Sequence, residues 1–158
     1  MSEAQTRRRL GRSIGAVLAG FAVTAAVSLG TDAVLHGTGV FPPWGEPMSD
    51  TRFMLATVYR LVYTILGGYL TARLAPDRPM AHALTLGAVG LVVSTTGAVA
   101  TWNRGPEFGP AWFPIMLVVT AIPFTWAGGK IYEARTGALH HQTDASEAER
   151  SCKSPAAS

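Results

Sequence analysis

Charge is missing from most of this chain. Asp, Glu, Lys and Arg make up 15% of its 158 residues, lean for a soluble domain, and they gather at the two ends and in short loops. Four long stretches are left almost without them, and these are apolar on every face rather than striped. That pattern excludes an ordinary soluble core built from amphipathic helices. Cysteine is nearly absent as well. Cys152 stands alone in a polar C-terminal segment, so no disulfide framework can form. In the cytoplasm it is expected as a reduced thiol, with oxidation or lipid attachment the other chemistries open to it. No Gly-rich phosphate loop, zinc motif or nucleophile flanked by a base occurs. No catalytic residue, metal or cofactor is therefore expected, and the net charge of +3 reflects basic residues placed where a membrane protein needs them rather than a nucleic-acid partner.

What the chain does contain is four apolar runs at 14–35, 53–74, 81–102 and 112–131. Roughly 20 residues at about 1.5 Å rise cross a hydrocarbon core of about 30 Å, and a lone segment in lipid must satisfy its own backbone, so each run is expected as a transmembrane helix. Helix breakers divide them: Pro42, Pro43 and Gly45 in the first loop, Pro76 and Pro79 in the second, Gly105 and Pro106 in the third. The expected fold is all-α, a four-helix transmembrane bundle. Its divisions are a basic N-terminus over 1–13, a four-span domain over 14–131 and a polar, cytoplasmic, disordered tail over 132–158.

Orientation follows from the basic residues. Ten of them, Arg7, Arg8, Arg9, Arg12, Arg73, Arg78, Lys130, Arg135, Arg150 and Lys153, fall in the two termini and the second loop, against Arg52 and Arg104 in the other two loops. The positive-inside rule then puts both termini in the cytoplasm. Trp44, Trp102 and Trp112 fall near the outer interface, as an aromatic belt requires. The run from Thr6 to Leu10 before an apolar stretch also resembles a signal peptide, even a twin-arginine one. The stretch is longer than a typical signal core and three spans follow, so an uncleaved first helix is the simpler reading.

Lipid supplies no hydrophobic drive for helices to associate, so small and polar residues must do it. The third span carries Ala83, Gly87, Gly90, Ser94, Gly97 and Thr101 at alternating spacings of four and three, a continuous packing seam. The first carries Ala16, Gly20, Thr24, Ser28, Asp32 and His36, each four apart. The second offers Thr57, Arg60, Thr64, Gly68 and Thr71, and the fourth Thr120 and a kink at Pro123. The second and fourth spans end alike, Thr64-x-x-Gly67-Gly68 before Ala72-Arg73 and Thr125-x-x-Gly128-Gly129 before Ala134-Arg135. That likeness would suit a duplicated hairpin, although the first and third spans do not match each other.

The ending Leu66-Gly67-Gly68-Tyr69-Leu70-Thr71-Ala72-Arg73-Leu74-Ala75 resembles one found in small four-helix integral membrane proteins of bacteria. That resemblance implies the same architecture and a plasma or inner membrane location. It implies no activity, cofactor or catalytic residue.

Within the spans Arg60 is the exception. An ionised side chain at that depth costs about 2.5–3.5 kcal/mol or more unless it is paired. Asp32 lies at a depth that Arg60 can reach, because side chains lean toward their helix N-terminus. An Asp32–Arg60 ion pair is expected, joined or flanked by His36, Tyr59 and Tyr63, and it either sets the register of two helices or binds a small ligand. Asp32 and His36 are too few for a metal site. His82 reads as an interfacial or capping residue, and His140 and His141 as part of the tail. The expected function is that of a non-enzymatic multi-pass membrane protein with the lipid bilayer as partner, able to join a homo-oligomer or a larger complex. The alternatives are a transporter or channel component acting as an oligomer, and an intramembrane enzyme or redox subunit using the same cluster.

Overall fold

The computed structural model describes residues 3–102, 104, 105 and 108–153, with side chains described between 7 and 139. It is all-helical among these residues: α1 (Glu3–Gly37), α2 (Asp50–Leu74), α3 (Pro79–Thr101) and α4 (Trp112–Lys153). All four are long and apolar enough to cross a membrane. Ser49 precedes α2 in an extended conformation and Asp50 places a carboxylate in its first turn, which complements the helix dipole. α2 stops at Ala75, extended as the residue before Pro76 must be. The chain reverses through Arg78, at φ +46°, and Pro79 opens α3 with its fixed φ. α4 runs through Pro123 and continues to Lys153, so a long extension of the last span occupies much of the stretch expected to lack structure. Alanine, glutamate and arginine there are all good helix formers. Residues 154–158 and the side chains of His140, His141 and Cys152 lie outside the described residues.

The α2–α3 turn and the N-terminal part of α1 share one end of the bundle, where Arg9 pairs with Asp77 at 3.1 Å on the surface. The loop at 38–49 and the described residues between α3 and α4 share the other. α4 packs extensively on both α2 and α3, α1 rests chiefly on α2, and α1 meets α3 only lightly.

Tight packing is concentrated toward the turn end, and absent side chains explain it. Gly20 and Gly67 face each other across α1 and α2. A side chain on Gly20 would collide with the Thr71 hydroxyl, and one on Gly67 with the Thr24 hydroxyl. Each threonine thus fills the space left by the other helix's glycine, and Thr71 is completely buried. Gly68 lies against the Thr125 backbone of α4, and Gly128 against the backbone of Ile65 and Tyr69 in α2. The two Gly-Gly pairs face different partners: Gly67 faces α1 and Gly68 faces α4, whereas Gly128 faces α2 and Gly129 faces α3. Similar endings therefore sit in dissimilar packing.

The α3 seam holds only in part. Ala83 and Gly87 are buried, Gly90 and Ser94 are partly so, and Gly97 is exposed with nothing within 4 Å of where a side chain would begin. The seam reading for Gly97 is corrected by this geometry. Toward the loop end α3 no longer has another helix along that face, so spacing alone overstates the length of the contact. On α1, Gly20, Thr24 and Ser28 all face inward, Gly20 buried and the other two partly buried.

Replacing Gly68 or Gly128 by valine drives the new side chain into the backbone of the facing helix and is expected to cost about 1–3 kcal/mol or more. Thermal unfolding in detergent should show that loss, while Gly97→Ala leaves the midpoint unchanged. Equal sensitivity at all three positions would contradict this packing.

Candidate functional site

Asp32 and Arg60 stand in the loop-end half of the bundle. α2 begins at Asp50, so Arg60 lies ten residues along it, about 15 Å in at helical rise. Its guanidinium donates to Asp32 Oδ2 at 2.5 Å. The Tyr59 hydroxyl donates to Asp32 Oδ1. Both carboxylate oxygens are thus held from α2, and Asp32 is buried at 6% exposure. Consecutive residues reach one carboxylate because Asp32 faces the seam between their two directions on the helix. The guanidinium also lies 5.5 Å from the ring centres of Tyr59 and of Phe113 in α4, within range of cation–π attraction.

The remaining expected members are arranged differently. His36 donates from Nδ1–H to the backbone carbonyl of Asp32 at 2.8 Å, one turn back on its own helix, and not to the carboxylate. Its ring stacks on Trp44 at 3.8 Å and meets Phe41 edge-on at 5.3 Å. His36 therefore anchors the 38–49 loop over the helix ends. Tyr63, one turn beyond Tyr59, pairs its hydroxyl with Thr31 at 3.0 Å and tilts against the Tyr59 ring. It makes a second tie between α1 and α2. His82 places Nδ1 3.2 Å from the Arg78 carbonyl, at the start of α3.

Two cavities meet at this cluster. A vestibule of 160 Å³ at the loop end is bordered by Asp32, His36, Phe41, Trp44, Glu46 and Phe53. A central cavity of 270 Å³ is lined by all four helices, including Thr24 and Ser28 of α1, Thr64 of α2, Gly90 and Ser94 of α3 and Thr120 of α4. Arg60 alone lines both. Sequence reasoning assigned Ser28, Gly90 and Ser94 to helix packing, and the structure sets them around this space instead of in a closed seam. Phe113 and Phe53 were missed. Phe53 lies seven residues before Arg60, two turns away on the same face, a signal that could have found it. Phe113 comes from a distant helix and leaves no such signal. Among the described residues no three metal-ligating side chains cluster.

No protein-family model matches this chain, and no curated protein or solved structure is significantly similar to it.

The loop anchor is separable from the ion pair. Trp44→Ala should free the 38–49 loop and speed its limited proteolysis, at a cost of about 0.5–1.5 kcal/mol. His36→Phe keeps a ring for Trp44 to stack on and should leave cleavage close to that of the parent protein.

Proposed function

We propose that this chain is a non-enzymatic multi-pass protein of a bacterial plasma membrane, with both ends in the cytoplasm. Its Asp32–Arg60–Tyr59 cluster acts as a clamp that joins α1 to α2 near the outer face. The observation that carries the clamp is the occupancy of both Asp32 oxygens by groups from α2. Placing a carboxylate and a guanidinium in a low-dielectric region is costly, and mutual pairing with further hydrogen bonds is what offsets it. His36, directed to a backbone carbonyl and to Trp44, is not positioned to pass a proton to Asp32, which weighs against the enzyme reading. The distribution of basic residues, ten against two, supports the orientation. The likeness of the α2 ending to small bacterial membrane proteins supports the location.

A second reading, that the cluster also binds a small ligand, is favoured by the two cavities that meet at Arg60. Glycine packing closes the bundle beyond the central cavity, which supports binding by one copy over passage through it. Transport would call for an oligomer or a larger complex.

Asp32→Ala and Arg60→Ala are each expected to lower stability in mild detergent by about 3 kcal/mol, since each leaves an uncompensated charge. The double exchange Asp32→Leu with Arg60→Leu should recover most of that loss. Additive effects of the two single changes would rule out the clamp. Orientation has its own test in the single cysteine: a membrane-impermeant maleimide should label Cys152 only after the bilayer is permeabilised, and should label an introduced Gly39→Cys in intact cells. The reverse pattern would invert the topology.

A further inference from the structure

We propose that the central cavity binds an apolar-chain molecule that presents a neutral hydrogen-bond acceptor, an ester or ketone oxygen, to Arg60. This rests on the ligand-binding reading of the site and adds the chemistry of the ligand.

The donors in the cavity are unevenly distributed. Thr24, Thr64, Thr120 and Thr125 all donate to carbonyls of their own helices, so their protons are already engaged. Ser28 and Ser94 carry no hydrogen bond among the described residues, and both line the space. The Arg60 guanidinium has one described acceptor, Asp32, while 26% of its side chain stays exposed where the two cavities meet. The rest of the lining is mainly apolar, with Phe21, Leu86, Val93 and Leu117 contributing. Unpartnered N–H and O–H groups in such surroundings cost free energy until an acceptor reaches them. A ligand matched to this cavity therefore carries an acceptor oxygen on an otherwise apolar body.

Charge decides the kind of acceptor. Asp32 already neutralises Arg60, so an anionic headgroup would set two negative charges around one guanidinium in a low-dielectric site. A neutral carbonyl oxygen avoids that repulsion and still accepts from the free N–H groups. The volume of 270 Å³ is close to the lower end of the roughly 300–1,000 Å³ typical of ligand clefts, suited to one chain. α1 and α3, which both wall the cavity, touch only lightly, leaving a side entrance from the bilayer.

The test is photolabelling with a diazirine-bearing methyl palmitate in vesicles of ether-linked phosphatidylcholine, where no lipid ester competes. Saturable labelling is expected on the α1 and α3 walls, with the corresponding free acid labelling about tenfold less. Gly90→Leu has room for its first carbon, 3.8 Å from Ala121 Cβ, and fills the cavity. It should cut labelling about tenfold with no loss of thermal stability. The Asp32→Leu and Arg60→Leu double variant, which removes the guanidinium donors, should cut labelling to a similar degree. Equal labelling by ester and acid, or unchanged labelling in a folded Gly90→Leu protein, would overturn the proposal. Repeating the experiment in ester-linked phosphatidylcholine identifies the source: competition assigns the site to bilayer lipid, and no competition to a separate ester or ketone, either outcome upholding the acceptor chemistry. The clamp is judged by the stability of the Asp32 and Arg60 variants alone, so either idea can fail without the other.

Discussion

The contact between α2 and α4 at Gly68 and Gly128 is the constraint from which the rest of the arrangement follows. Two helix backbones can approach this closely only where a glycine on one of them leaves the other's backbone uncovered, and with no hydrophobic drive between helices in lipid that close approach is a main source of attraction. The same end of the bundle gathers the Gly20 and Gly67 exchange with Thr71 and Thr24, and the contact of Gly87 with α4. The central cavity lies among all four helices, and the side chains bordering it are serines, threonines and one arginine as well as aliphatic residues.

The position of Arg60 makes sense in this setting. At the glycine-packed end a long charged side chain would have no room. Farther along, the space between α1, α2 and α4 admits it, and the buried Asp32 carboxylate and the Phe113 ring complete its surroundings. The loop over 38–49 then covers the pair, held by the stacking of Trp44 on His36. Ion pair, cover and cavity are in this sense one arrangement: the pair joins α1 to α2 at the level where glycine packing no longer does, and Arg60 borders the space left over.

Much of this was legible in the residues. Apolar runs of spanning length, divided by proline and glycine, mark the four helices, and the α1 row from Ala16 to His36 faces inward in the structure. Arg60 draws attention by being charged in an apolar run, and Asp32 is the one carboxylate within the first span. The role of His36 was not legible, because a histidine four residues from an aspartate can turn either to its carboxylate or to its backbone, and the loop tryptophan that settles the matter comes from outside the helix. Gly97 misleads for a related reason. Spacing shows which side of α3 a residue occupies, but not how far along that side another helix extends.

The sequence by itself determined the number of membrane-length helices and the identity of the residues too polar to face lipid, since these depend on local composition and on the need of each backbone to satisfy itself, whereas α1 and α4 run beyond their apolar stretches, to Glu3 and Lys153. Only the tertiary structure decided which helices approach closely, that Gly90 and Ser94 of α3 line a cavity while Ala83 and Gly87 keep the seam, and that both oxygens of Asp32 are taken by neighbouring residues of α2. Those outcomes depend on helix tilt and on contacts between residues far apart in the chain, which no local pattern encodes.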